Sequence, residues 1–401
     1  MSVGPGDDRA GLYVHVPFCD RACPYCDFDF EVGRGPGFEG RVDAWLAGLE
    51  RELGRRAAEL AGSVFDTLYI GGGTPSAIPI GRMRALLGWL GDALGVEPGE
   101  LRELTVELNP EHASPARLDA LVELGVDRVS VGVQSLSPAG LRQLGRGHER
   151  ADALASVAAC VTHGLRTSAD LIVGWPGQTS AQLGRELAEL TDAGVEHLSI
   201  YGLTIEPDTP WPKLVRRGLR VLPDDDAQAE LLCWAERELV DRGFVHYEVA
   251  SYARPGAEAV HNGKYWRWLD VIGLGPSAAS VRHRRSEGSG SGSGSGVVER
   301  WVNPRGLAAW LEPDAPSEHE RLEGTQAAAE GLWLGLRRLQ GIEVGRFLDR
   351  FGVDLAWLDA RVARQVELGN LRWSAERAQL GVAPGRWLWH DTIAVDLLAP
   401  R

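Results

Sequence analysis

No apolar run in this chain approaches the roughly 20 residues that a membrane-spanning helix needs, so no span is expected. An excess of cationic charge is missing as well: 42 Lys and Arg stand against 56 Asp and Glu, a net charge of -14. Binding to a phosphate backbone is carried by clustered Lys and Arg, so nucleic acid is not expected as a partner. Residues 1–10 have no apolar centre and carry two aspartates, which reads against a signal peptide. The expected location is cytoplasmic, where thiols stay reduced. Attachment to a membrane surface without a span stays open. Cysteine is scarce, at five in 401 residues, and three of the five fall within one stretch of eight. That distribution suits a metal site better than a disulfide framework. Cys160 and Cys233 lie in helix-like apolar surroundings and read as small buried hydrophobes. Against these absences stands a hydrophobic content of 44%, ample for a core, and a length that suggests one large domain plus one or two smaller ones.

The three clustered cysteines sit in Tyr13-Val-His-Val-Pro-Phe-Cys19-Asp-Arg-Ala-Cys23-Pro-Tyr-Cys26-Asp-Phe28, after a short apolar run and around a proline. Such a loop can bend three thiolates toward one centre, and thiolates are soft ligands that select iron-sulfur clusters, zinc or copper. A four-iron cubane held by three protein ligands keeps one iron open for something else. Two other readings of the same residues stand beside this one. A zinc site needs a fourth ligand for tetrahedral closure, and His15 is the nearest candidate. A disulfide pair with one spare thiol is the other.

Residues 12–16 read as a first strand with the cysteine loop at its C-terminal end. Residues 42–60 have helical spacing, with Trp45, Leu46, Leu49 and Leu53 on one face. Further strands are read over 67–70, closed by Gly71-Gly72-Gly73-Thr74-Pro75, and over 104–108, ending in Asn109-Pro110-Glu111. Others are read over 128–133, ending at Gln134-Ser135, over 167–173, and over 197–203. Helical patterns separate them at 83–94, at 114–124 with Ser114 as cap and Pro115 in the first turn, on through 164, and at 182–190. Six strand-helix units in a row imply an α/β fold with a parallel sheet covered by helices. Right-handed crossovers curl such a sheet into a full or partial barrel. Functional residues then gather at the C-terminal strand ends. The cysteines, the triple glycine, Glu107, Gln134 and Asp170 mostly fall there.

Beyond the sixth strand, 224–243 reads as helix, and 288–296 is an alternating Gly/Ser tract that behaves as flexible coil. Short helices over 327–338, 344–351 and 356–368 lead to strand-like segments at 387–390 and 393–397, a pattern similar to a winged helix. The expected organisation is a tail at 1–10, a partial (β/α)6 barrel at 11–230, a smaller α+β extension at 231–320 and a winged-helix-like helical domain at 321–401.

Taken singly, the chemical candidates are ordinary. The glycine triplet lets a backbone approach a ligand closely, and equally makes a tight turn. Glu107 suits an amine or a ribose, and equally a solvated strand end; Gln134 and Asp170 share that ambiguity. Arg146 suits a carboxylate, or the open surface.

Together they resemble the radical S-adenosylmethionine superfamily, in the branch that holds oxygen-independent coproporphyrinogen III oxidases and related heme chaperones. The matching pieces are Cys19-x-x-x-Cys23-x-x-Cys26, Gly71-Gly-Gly-Thr-Pro75, Glu107-Leu-Asn-Pro, Ser130-Val-Gly-Val-Gln134-Ser and Asp170-Leu-Ile-Val-Gly. Leu203-Thr-Ile-Glu-Pro207 and His261-Asn-x-x-Tyr-Trp266 continue the match over nearly the whole chain. The resemblance implies that Cys19, Cys23 and Cys26 hold a 4Fe-4S cluster, with the methionine end of S-adenosylmethionine on the open iron. It implies contacts to that cofactor from Tyr13, Gly72, Gly73, Thr74, Glu107, Gln134, Arg146 and Asp170, with Tyr25 shielding the cluster on the adenine side. In this superfamily one electron from the reduced cluster cleaves the sulfonium to methionine and a 5'-deoxyadenosyl radical.

Within the branch, the oxidases carry a further cysteine two residues after the third, where this chain has Phe28. They also carry a long N-terminal extension, where about ten residues precede the first strand here. Both features favour the heme chaperones, with oxidative decarboxylation of coproporphyrinogen III as the alternative. The implied cargo is heme, bound through His261, Asn262, Tyr265 and Trp266; the implied partners are heme-accepting proteins and an electron donor. The branch commonly has a histidine where this chain has Ala279.

Overall fold

The computed structural model describes residues 9–33, 35–285 and 296–399. Most of the tail at 1–10 and all but Gly296 of the Gly/Ser tract lie outside the described residues. β1 (Ala10–Val16) leads into a two-residue parallel pair, β2 (Phe18–Cys19) and β3 (Glu31–Val32), which brackets the remaining two cysteines. β4 (Phe65–Gly72), β5 (Glu103–Leu108), β6 (Arg128–Gln134), β7 (Arg166–Val173) and β8 (His197–Gly202) then lie side by side with β1, every neighbouring pair parallel. Helices Phe38–Leu60, Ile80–Leu94, Pro115–Glu123, Pro138–Leu144, Arg150–Thr162 and Ser180–Asp192 connect them. Trp45 and Leu49 on the first helix are fully buried. Ser114 stands at the cap position of 115–123, but its hydroxyl makes no cap bond; Pro115 alone sets that start.

The sheet continues on both flanks. β9 (Val245–Glu248) and β10 (Ser251–Ala253) extend it antiparallel beyond β8. β11 (Val271–Leu274) joins β1 in parallel, and β12 (Ala279–Arg285), β13 (Gly296–Val302) and β14 (Glu318–Glu323) follow antiparallel. The result is one twelve-stranded sheet with β14 and β9 at its edges: a partial barrel, not a closed one. Helices Gly324–Gly335, Val344–Phe351 and Leu355–Glu367 share a second core with a small sheet of β15 (Ile342–Glu343), β16 (Leu371–Trp373) and β17 (Gln379–Val382).

Two sequence readings need correction. Residues 387–390 and 393–397 are not strands: a 3-10 turn at Trp387–Trp389 runs into helix His390–Leu398. The buried residues His390, Ile393, Ala394 and Leu397 recur at helical spacing, and that period outweighs the aromatic and β-branched content. The hairpin of this region is β16–β17 instead. Cys160 is fully buried, but Cys233 is only half-buried, since helix Asp225–Asp241 turns Leu231, Ala235 and Leu239 inward rather than Cys233.

The parallel strands alternate in a way that positions the site. Leu68, Ile70, Leu104, Val106, Val129 and Val131 face outward into the main core under the helices. The intervening residues face the barrel interior and are polar: Tyr69, Thr105, Glu107, Arg128, Ser130 and, further round, Ser168, Asp170, His197, Ser199 and Tyr201. An ordinary barrel fills that space with branched apolar side chains. Here it is a cavity of about 610 Å³.

Candidate metal and cofactor site

The cavity opens at the C-terminal strand ends, where the loop after β1 folds over it. That loop is fastened to the turn after β4 by backbone: Gly73 N donates to the Val16 carbonyl at 2.8 Å, and Thr74 N to that of Phe18 at 2.6 Å. The approach admits no side chain, because a Cβ on Gly73 would lie 2.6 Å from the Phe18 carbonyl oxygen. Gly72 has a φ of 108°, and a Cβ there would strike the His15 ring.

Cys19, Cys23 and Cys26 all line the cavity mouth. Cys19 Sγ lies 3.2 Å from Thr74 Oγ1, and Cys26 N donates to the Cys23 carbonyl at 3.2 Å. Arg146 is half-buried beside them. Its Nη1 donates to Cys23 Sγ at 3.6 Å, and its Nη2 to Asn109 Oδ1 at 2.6 Å and the Gly132 carbonyl at 3.0 Å. Burial pushes the Cys19 thiol up to about 12, and its two neighbouring cysteines push the same way against Thr74 and Arg146. Burial likewise raises Cys26. Burial thus favours the protonated form of Cys19 and Cys26, and ligation as thiolates displaces those protons.

The donor set, three soft thiols at one cavity mouth, suits a cubane. Among the described residues no three His, Cys, Asp or Glu side chains converge as the ligands of one metal ion would. A cubane binds each thiolate at a separate iron and does not require that. His15 is spoken for: Nδ1 meets Tyr13 Oη at 3.1 Å and Nε2 meets the Asp29 carbonyl at 2.8 Å, so it offers zinc no free nitrogen. All five cysteines are free thiols, which leaves the disulfide reading without support.

Deeper in the cavity stand two carboxyls. Glu107 accepts from Tyr69 Oη at 2.8 Å and from Gly72 N at 3.1 Å. Its burial, against Tyr69 and with Asp170 adding, pushes it up to about 8. Asp170 accepts from Ser130 Oγ at 2.9 Å; burial raises it, against the hydroxyls of Ser199 and Ser130. Both are reached only from the barrel interior. Gln134, at the end of β6, has a φ of 63°, a backbone conformation that costs energy for a residue with a Cβ and that clusters at functional sites.

Of the residues picked from sequence, the structure gathers the three cysteines, Tyr25, Gly72, Gly73, Thr74, Glu107, Gln134, Arg146 and Asp170 around one cavity. It does not bring Tyr13 there; that ring stacks 6.1 Å from Tyr69 with its hydroxyl on His15. The proposed heme residues lie at the opposite end, on helix Val260–Tyr265 and at Trp266 just after it, where the helix closes the N-terminal strand ends. Asn262 reaches the cavity from below. His261 is 1% exposed, with Nδ1 2.9 Å from Thr67 Oγ1. Burial, with Lys264 adding, pushes it down to about 3. Tyr265 packs against His261, and Trp266 carries the Arg337 guanidinium 4.4 Å from its ring. Sequence reasoning missed the wall of Tyr69, Asn109, Ser130, Ser199 and Tyr201. The signal was available: a parallel strand buried on both faces reads as near-continuous apolar residues, and these strands alternate with polar ones.

The pattern of the Radical SAM superfamily matches residues 13–190. A Synechocystis protein named heme chaperone HemW is 33% identical over 346 residues, 85% of this chain and 81% of that protein. A Bacillus subtilis protein of the same name is 29% identical, covering 96% of this chain and 98% of its own length. Among solved structures, the coproporphyrinogen III oxidase HemN of Escherichia coli, described as a radical SAM enzyme, superposes with a TM-score of 0.76. It is 20% identical and covers 98% of this chain and 91% of its own, a likeness of fold.

Proposed function

Because this chain belongs to the radical SAM superfamily, in the group of the HemW proteins, we propose that it binds heme and passes it to acceptor proteins, carrying a 4Fe-4S cluster and S-adenosylmethionine as resident cofactors. The family implies the cluster and S-adenosylmethionine; heme, its acceptors, an electron donor and a cytoplasmic location are part of the proposal. The observation that carries it is the relatedness to proteins named heme chaperone over most of both chains. Phe28, where the oxidases place a further cysteine, agrees with it; that side chain is 67% exposed at the cavity mouth. No described helix is long and apolar enough to cross a membrane.

Cys19, Cys23 and Cys26 hold the cluster, and Arg146 sets its positive charge beside their sulfurs. When bound and reduced, the cluster supplies the electron that cleaves a sulfonium. The chain's own part is to bind and orient. Gly72 and Gly73 bring backbone within reach of the cofactor's methionine end, Glu107 takes its ammonium, and Asp170 and Gln134 take polar groups further along. Tyr25, packed near Leu144 and Trp211, keeps water from the sulfurs. His261, Asn262, Tyr265 and Trp266 stay the proposed heme contacts. Ligation by His261 requires its helix to leave the barrel floor, and Ala279, exposed at the start of β12, offers no second imidazole.

The test is anaerobic reconstitution followed by hemin titration and by incubation with coproporphyrinogen III, S-adenosylmethionine and a reductant. Stoichiometric heme binding without protoporphyrinogen is expected; substrate-dependent protoporphyrinogen would make the chain an oxidase. Undiminished heme affinity in His261→Ala would remove that residue from the heme site.

A further inference from the structure

The helix Pro210–Arg216 and the turn after it rest directly on the cysteine loop. Trp211 N donates to the Pro24 carbonyl at 3.0 Å, between the second and third cysteines. Trp211 is fully buried in a cluster to which Tyr25 and Val215 also belong. Trp211 Nε1 donates to the Val221 carbonyl at 3.3 Å, and the Arg220 guanidinium lies 5.9 Å from the Trp211 ring, which folds residues 217–222 back over the same place. The outer face of this segment is unlike the rest of the surface. Lys213, Arg216 and Arg217 are exposed and have no ion-pair partner among the described residues. Leu219, Val221 and Leu222 are 59%, 62% and 60% exposed and fall within four residues, with Arg220 between the first two. Arg142, also exposed, borders the patch, its carbonyl accepting from Arg220 Nη2. Asp208 precedes the patch, and Asp224, Asp225 and Asp226 follow it, Asp224 being used to cap Ala227 N at 2.9 Å.

A cationic surface with exposed apolar centres, in a chain of net charge -14, marks an interaction face for something negative. Its position says which. Electron tunnelling weakens steeply with distance, so whatever reduces a cluster here must dock close to the cysteine loop, and this segment packs directly on that loop through Trp211 at Pro24 and Tyr25. We propose that residues 210–222 are the docking surface of an acidic one-electron carrier protein, a reading that rests on the cofactor assignment above. One electron leaves the carrier, which is oxidised, and enters the cluster, which is reduced; no bond forms or breaks. The mix of a basic rim and a small apolar centre suits the brief, salt-sensitive encounters of redox partners.

The test uses reconstituted holoprotein carrying Lys213→Glu, Arg216→Glu and Arg217→Glu, with an acidic [2Fe–2S] ferredoxin as probe. Two quantities are read: affinity for the ferredoxin at low and high salt, and the rate at which reduced ferredoxin bleaches the cluster. Charge reversal is expected to weaken both at least about tenfold at low salt and to flatten their salt dependence. Iron content and bleaching by a photoreduced deazaflavin should stay unchanged. Leu219→Ser with Val221→Ser and Leu222→Ser should weaken binding at both salt concentrations. Unchanged affinity and rate in the triple charge variant would overturn the proposal. So would loss of sedimentation with phosphatidylglycerol vesicles while the ferredoxin rate holds, which would make the face a lipid contact. If the wild-type protein carries no bleachable iron-sulfur chromophore, the cofactor assignment itself has failed.

Discussion

The two ends of the barrel are built on opposite plans. At the rim, contacts run through backbone and small groups: Gly73 and Thr74 against the Val16 and Phe18 carbonyls, a threonine hydroxyl on Cys19, one guanidinium on Cys23. At the floor, charged side chains close the opening. Lys264 Nζ reaches Asp66 Oδ1 at 2.5 Å and the Arg9 carbonyl at 2.8 Å, while the Glu103 carboxylate accepts from Val260 N at 2.8 Å and His261 N at 3.0 Å. The rim turns its thiols and carboxyls toward the cavity, whereas at the floor the charged groups are tied mainly to one another and to backbone. Groups that must bind something are held by elements that do not compete for it, and groups that must only hold are paired with each other.

That contrast separates stability from cofactor loading, and breaking either end should show it. The largest effect belongs to the rim. Cys23→Ala should lose nearly all reconstituted iron and sulfide, because a cubane with two protein ligands is poorly held. Its metal-free stability should move by less than about 1.5 kcal/mol, the usual scale for a small change. Iron content near wild type would place the ligands elsewhere. Next comes the floor. Lys264→Met removes one partner of a buried pair, since Lys264 is 2% and Asp66 0% exposed. Leaving a buried carboxylate short of its partner costs about 3–5 kcal/mol, and Arg9 and Arg102, each more than 3.5 Å from Asp66, hold the loss toward the lower figure. Urea unfolding of the metal-free protein reads that loss, and iron per folded molecule should stay at the wild-type value. A parallel fall in iron would mean that the two ends are coupled.

The same contrast explains what could be read from the chain. Rim residues come as short contiguous motifs, because one strand end supplies several groups at once, and the six-strand order follows from regular strand-helix alternation. Floor partners are far apart in sequence: Lys264 and Asp66 are separated by 198 positions. No local pattern announces such a pair, so the closing role of helix 260–265 could not be read from its motif, whatever else that motif binds. Tyr13 misled in a related way, since strand membership does not say which neighbour takes its hydroxyl. The C-terminal helix was legible by its period but hidden by residue types that favour strands.

A third effect, which shows only as a pH dependence, lies inside the rim at Glu107. Burial pushes its carboxyl up to about 8 from an ordinary 4.5. A group raised on folding binds its proton more tightly in the folded state than in the unfolded one. Its contribution to stability is therefore fully present below about pH 4.5 and is lost as pH rises through about 8. Glu107→Gln, neutral throughout, lacks that dependence. Melting temperatures of the metal-free proteins should converge near pH 5 and separate toward pH 8, with the variant the more stable there. Parallel curves would mean that Glu107 is already ionised in the folded protein. A positive outcome would sharpen the comparison. The floor uses buried charge to hold the barrel shut, whereas the rim keeps a carboxyl whose burial disfavours its charged form, as the proposed role of Glu107 toward a cofactor ammonium requires.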